Sequence, residues 1–166
     1  GKTLSSLAFA LRHAVRHGGQ LSVVDSSVGD WAMPIKHQLL QNASQWVQAL
    51  GSIASAIAQE KNVTAPQDAA EASEASLAIA RSLLGGERKA VLLGNAAAHH
   101  GQATALLALA NWIGEQTGAT VGYLTEAANT VGAQFAGAHP VGSGLNAGQM
   151  LAGGLKAVLL LNTEPA

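Results

Sequence analysis

The sequence contains no cysteine, and this absence excludes several kinds of chemistry from the chain. Without a thiolate there can be no disulfide, no cysteine-ligated zinc or iron–sulfur cluster and no cysteine nucleophile. Charged residues are also scarce, at 11% against about 25% in ordinary globular domains. The nine Lys and Arg nearly balance the ten Asp and Glu, so the composition lacks the excess of positive charge that is typical of a nucleic-acid-binding surface.

Aromatic residues make up only 4% of the chain, whereas aliphatic residues, alanine and glycine are plentiful. No apolar run approaches the roughly 18 residues that a membrane-spanning helix needs, so we expect no direct membrane insertion. The 166 residues suit a single α/β domain over 1–166. Because a helical pattern begins almost at the first residue and few residues follow the last apolar run, we expect a fragment of a longer chain.

Four short apolar runs predict β-strands, at residues 21–25, 89–94, 120–124 and 155–161. Helical periodicity and capping residues predict four main helices. They cover residues 4–16, a stretch from Ser44 to about 58, a stretch from the Thr64–Gln67 capping box to about Leu84, and a stretch ending at Gly118. Residues 35–41 are predicted to form at most a helical turn.

Strands that alternate with helices favour a mostly parallel sheet in a Rossmann-like, three-layer α/β/α sandwich. The run 89–94 is apolar on both faces, as a parallel strand covered by helices should be. Abundant alanine would let helices pack closely on such a sheet, although helix propensity or base composition explains it equally well.

Parallel sheets bind ligands at the carboxyl ends of their strands, which here carry Asp25 and Gly94-Asn95. Asp25 could accept hydrogen bonds from a sugar hydroxyl or a purine edge, or simply cap the next turn. Gly94 could let a phosphate approach the backbone or form a tight strand exit. The adjacent His99 and His100 suit a phosphate contact or an exposed loop better than a metal site.

No complete catalytic constellation is present in the sequence. It has no GxGxxG, no P-loop lysine and no GxSxG elbow, so we predict no catalytic residues and no metal ligands. His13 and His17 are spaced to chelate a cation, but Arg12 and Arg16 beside them favour a solvated polar helix face.

Several short motifs resemble those of the molybdopterin oxidoreductase family. In that family a strand ending in Gly leads into a His-containing loop, then a Gly, then a helix closing on Thr-Gly, and residues 94–102 (GNAAAHHGQ) and 111–118 (NWIGEQTG) follow this order. Residues 23–25 (VVD) and 155–165 (LKAVLLLNTEP) resemble two further strands. Residues 126–133 (EAANTVGA) and 144–151 (GLNAGQML) are similar to the large iron–sulfur subunits of bacterial NADH–quinone oxidoreductases, or respiratory complex I.

This resemblance implies a scaffold domain of an enzyme that transfers electrons from NADH to quinone, with no chemistry of its own. The implied partners are other domains of the same chain and other peripheral-arm subunits, on the cytoplasmic side of the bacterial inner membrane. No cofactor is implied in this domain, and the iron–sulfur clusters would lie elsewhere in the full-length chain.

The alternative is a domain that binds molybdopterin guanine dinucleotide in a molybdenum oxidoreductase, with its cofactor at Asp25, Gly94, Asn95, His99 and Gly101. A module for an unrelated nucleotide is a third reading. Against the pterin, Ser26-Ser27 stand where the family has Pro-Arg after the Asp, and no Lys or Arg occurs between Lys89 and Lys156 to meet a diphosphate.

Overall fold

The computed structural model describes residues 5–124 and 130–159, and the chain divides into two compact units, Gly1–Glu126 and Ala127–Ala166. The elements of the first unit are α1 (Ser5–Arg16), β1 (Ser22–Asp25), β2 (His37–Leu40), a 3-10 turn (Ala43–Gln45), α2 (Trp46–Lys61), α3 (Glu74–Gly85), β3 (Ala90–Leu93), α4 (Asn95–Ala98), α5 (Ala103–Thr117) and β4 (Thr120–Tyr123). The second unit contains α6 (Thr130–Phe135) and α7 (Ala147–Leu151).

The core of the first unit is built around α2, which packs against both α3 and α5. Its large buried side chains come from all three helices, with Ile53 and Ile57 on α2, Ile79 on α3, and Leu109 and Ile113 on α5. Burying one such side chain is worth about 1.5–3 kcal/mol, so these five residues together contribute about 8–15 kcal/mol to folding.

Small residues allow the chain to pack closely around α2. Ala54 and Ala56 are fully buried on this helix, as is Ala80 on α3. A Cβ at Gly51 would collide with the carbonyl oxygen of Asp68, so the segment before α3 lies directly on α2 only because residue 51 has no side chain. The abundant alanine therefore serves helix–helix packing as well as any helix–sheet contact.

The strands form two separate parallel pairs, β1 with β2 and β3 with β4. Val24 and Leu39 of the first pair and Val91 of the second all pack against the same helical core. The structure thus confirms a mixed α/β class with parallel pairing, and it places the predicted strands 21–25, 89–94 and 120–124 correctly.

Three predictions about local structure were wrong. Residues 37–40 form strand β2 and not a helical turn, because they pair with β1 along its full length. Helix α3 begins at Glu74 and not near Thr64, because a capping box forms between Ser73 and Ser76. Residues 155–159 form no strand, since Val158 and Leu159 are exposed without a neighbouring strand among the described residues, and 160–161 lie outside those residues.

Candidate functional site

The carboxyl ends of β1 and β2 lie side by side. The Gln41 N–H donates to the Asp25 carbonyl oxygen at 2.9 Å, which extends the ladder by one bond beyond the strands. Asp25 is partly buried, and its Oδ1 accepts a hydrogen bond from the Ser26 N–H at 2.7 Å. One carboxylate oxygen therefore caps the turn that follows β1. This capping role was the alternative to ligand binding that the sequence left open for Asp25.

A group of four residues fastens the loop after β3 to the segment after β2, and we call Gln41, Ala43, Trp46 and His100 the tip junction. The His100 Nε2 lies 2.9 Å from the Ala43 carbonyl oxygen, and its Nδ1 accepts the Gln102 N–H at 3.0 Å. Because Nδ1 acts as an acceptor, Nε2 carries the hydrogen and donates a hydrogen bond to the Ala43 carbonyl oxygen.

Trp46 completes the tip junction from the first turn of α2. Its Nε1–H donates to the Gln41 carbonyl oxygen at 3.2 Å, and its ring centroid lies 5.8 Å from that of His100. The sequence predicted that His100 makes a phosphate contact or lies in an exposed loop. The signal that Trp46 and His100 belong to one cluster was weak, because it consisted of a histidine pair following a strand.

The loop after β3 carries the other predicted cofactor residues. Gly94 caps the single-turn helix α4, and its carbonyl oxygen accepts hydrogen bonds from the N–H groups of Ala97 and Ala98. Asn95 is partly buried, whereas His99 and Gly101 are exposed. A Cβ built at Gly94 or at Gly101 would meet nothing within 4 Å, so open space adjoins both glycines.

The structure connects Asp25 with this loop only indirectly. Asp25 bonds to Gln41, Gln41 to Trp46, and Trp46 contacts His100, which precedes Gly101. The strand tips are therefore linked through a chain of contacts. The groups they offer a ligand are the second oxygen of Asp25, the exposed imidazole of His99 and backbone groups.

The lysines near the strands lie at the opposite, amino end. Lys36 directly precedes β2 and Lys89 directly precedes β3. The ammonium groups of Lys61 and Lys89 donate to the carbonyl oxygens of Gln116 and Thr117, the last two residues of α5. Cations are favourable there because the carboxyl end of a helix carries partial negative charge and unpaired carbonyls.

The arginine of α3 is also used within the fold. Arg81 Nε lies 2.8 Å from Glu60 Oε1, which joins α3 to α2.

Since no Lys or Arg occurs between Lys89 and Lys156, the segments that follow β3 and β4 offer no permanent cation to a phosphate. Across residues 5–124 and 130–159, no three His, Asp or Glu side chains are grouped closely enough to hold a metal ion.

Comparisons with protein-family models, with curated proteins and with solved structures each found no match. None of the helices in the described ranges is long and apolar enough to cross a membrane.

Proposed function

We propose that this chain is a scaffold domain of the large iron–sulfur subunit of a bacterial NADH–quinone oxidoreductase. The whole subunit would take part in electron transfer from NADH to quinone, in a peripheral complex on the cytoplasmic side of the inner membrane. This domain would contribute packing surfaces to other domains and peripheral-arm subunits and would carry out no chemistry itself.

The observation that carries the proposal is the distribution of cations around the strands. A guanine dinucleotide cofactor carries a diphosphate, which needs Lys, Arg or several N–H donors. Lys36 instead lies at the amino end of β2. The ammonium groups of Lys61 and Lys89 bind carbonyl oxygens at the carboxyl end of α5. The residues at the strand tips, with the carboxylate of Asp25 among them, do not fit a doubly charged phosphate ligand.

The tip junction supports the same proposal. Both ring nitrogens of His100 are hydrogen-bonded to backbone groups, and the indole N–H of Trp46 is bonded to Gln41. These side chains are occupied in holding two loops together, which is what a structural domain requires.

The proposal includes the three-layer sandwich of the molybdopterin oxidoreductase fold. Helices cover the face of the strands that carries Val24, Leu39 and Val91. On β3, Ala90 and Leu92 alternate with these positions and are exposed, which leaves a face on which another layer could pack.

One observation favours the alternative, a molybdopterin guanine dinucleotide-binding domain with Asp25, Gly94, Asn95, His99 and Gly101 as cofactor residues. The space beside Gly94 and Gly101 is open, so a ligand could approach the backbone at these positions. In that case the diphosphate would have to be held by backbone N–H groups or by cations that lie outside the strand tips.

One experiment tests the proposal against this alternative. The chain, carrying an affinity tag, is expressed in a bacterium that makes both NADH–quinone oxidoreductase and molybdenum enzymes, and the purified material is analysed for proteins and for pterin. We expect peripheral-arm subunits of the quinone oxidoreductase to be enriched, with no stoichiometric pterin. Stoichiometric pterin supports the alternative, and failure to enrich any of these subunits contradicts the scaffold function.

A further inference from the structure

Five residues form one stripe along α1: Phe9, Arg12, His13, Arg16 and His17. Their spacing of i, i+3, i+4, i+7 and i+8 places them on the same side of the helix and of the turn that ends it. The side chain of Phe9 is 71% exposed, and His13, Arg16 and His17 are also exposed. We call this set the basic stripe.

Contacts within the basic stripe hold its two histidines in place. The His17 Nδ1 lies 2.8 Å from the His13 carbonyl oxygen, and the centroids of the two imidazole rings are 4.1 Å apart. Phe9, Arg12, His13 and Arg16 line a small hollow. The Arg12 Nε is shielded from solvent and has no hydrogen-bond partner within the described ranges.

The basic stripe has no counter-charge nearby in the chain. Lys2, Arg12 and Arg16 precede the first acidic residue, Asp25, so the first 24 residues carry only positive formal charge. In the part of the chain that the structure describes, neither Arg12 nor Arg16 forms an ion pair. The whole chain has a net charge of −1, so the remainder is net negative.

We propose that the basic stripe binds a short acidic segment of a partner protein. The guanidinium groups of Arg12 and Arg16 would each bind a carboxylate through paired N–H donors, and Phe9 would pack against an apolar side chain beside them. From residue 9 to residue 17 the helix rises about 12 Å, which matches about four residues of an extended chain at roughly 3.3 Å each.

A short segment fits this surface better than a bilayer or a nucleic acid does. Binding to a bilayer requires an apolar helix face, but Leu7, Leu11 and Val15 are partly buried within the fold. The net negative remainder of the chain would repel an extended polyanion, whereas a short acidic segment experiences mainly the charges within a Debye length of about 8 Å. This inference goes beyond the proposed function, because it requires no particular parent complex.

The probe is a fluorescein-labelled twelve-residue peptide of alternating Glu and Ala, titrated with the 166-residue chain while anisotropy is recorded at low and at physiological salt. We expect saturable binding that weakens with salt, and at least a tenfold loss in the double variant Arg12→Gln/Arg16→Gln. Phe9→Ala should weaken binding about threefold. Arg88→Gln is the matched control, because Arg88 is an exposed arginine outside the stripe and its loss should leave binding unchanged.

Circular dichroism of each variant checks that α1 and the rest of the fold are retained. The same peptide with Gln in place of Glu should not bind. The proposal is overturned if the acidic peptide fails to bind at millimolar concentration, or if Arg88→Gln weakens binding as much as the double variant. It is also overturned if phosphatidylglycerol vesicles or single-stranded DNA bind more tightly than the peptide through the same two arginines.

Discussion

Two adjacent histidines have opposite environments in this fold. His99 is exposed after the single-turn helix α4, whereas His100 lies against Trp46 with both ring nitrogens hydrogen-bonded to backbone groups. The Nδ1 of His100 accepts from the Gln102 N–H, while its Nε2 donates to the Ala43 carbonyl oxygen. His100 is therefore a structural residue, and it secures the loop that carries most of the predicted cofactor residues.

Replacing His100 with alanine should destabilise the chain, whereas replacing His99 should not. His100→Ala removes two hydrogen bonds and the ring contact with Trp46, and we expect a loss of about 1–2 kcal/mol in the free energy of unfolding. His99→Ala removes an exposed side chain and should change that free energy by less than about 0.5 kcal/mol. Urea denaturation followed by tryptophan fluorescence measures both changes, and a smaller loss for His100→Ala than for His99→Ala would refute the tip junction.

At the scale of secondary-structure elements, a capping box between Ser73 and Ser76 fixes the first turn of α3. The Ser76 N–H donates to Ser73 Oγ at 3.1 Å, and the Ser73 N–H donates to Ser76 Oγ at 2.7 Å. Ser76 is completely buried, so these bonds satisfy its N–H and its hydroxyl oxygen, which water cannot reach. Glu74 in the same turn adds a favourable charge at the positive end of the helix dipole.

Ser73→Ala should therefore lower the free energy of unfolding by about 1 kcal/mol, within the range of about 0.5–2 kcal/mol for lost N-caps. Thr64→Ala is the matched control, since Thr64 has the sequence signature of a cap but is exposed and starts no helix. We expect its effect to stay below about 0.5 kcal/mol in the same urea titration. An equal loss in both variants would indicate that α3 extends back to Thr64 in solution.

The capping signals show how far local sequence can define the elements. The sequence has two capping-box patterns, one that begins at Thr64 and one that begins at Ser73. The segment after Thr64 is not helical, and its Asp68 packs on Gly51 of α2. That contact depends on tertiary structure and leaves no local signal. By contrast, the αL cap at Gly118 ends α5 where the sequence predicted, because only the local backbone is involved.

In the strands and in the candidate site, too, locally determined features were predictable from the sequence and tertiary contacts were not. The apolar runs at β1, β3 and β4 were recognisable, but β2 contains His37 and Gln38 and becomes a strand only through its pairing with β1. The sequence predicted that ligand-type residues such as Asp25 and Gly94 follow strands. It could not predict the tip junction, since His100 and Ala43 are 57 residues apart in the chain.

At the scale of the whole molecule, burial and exposure are divided very unevenly along the chain. The fully buried hydrophobic residues of the described ranges all lie between Ala49 and Ile113, in the first unit. In the second unit, residues 135–150 and 152–159 are exposed, with Leu159 at 95%. Local opening needs little free energy where few apolar contacts must be broken, so the second unit should open far more readily than the first.

Limited digestion with chymotrypsin tests this difference, because both units offer exposed aromatic or leucine side chains. We expect the first cleavages after Phe135, Leu145 or Leu155, leaving a product that retains residues 5–124 as judged by mass spectrometry. Phe9 is the internal control, because it is 71% exposed but belongs to the twelve-residue helix α1 and should be cut later. Early cleavage within α2 or α5 would contradict a core centred on α2, since a protease reaches those helices only after the first unit opens.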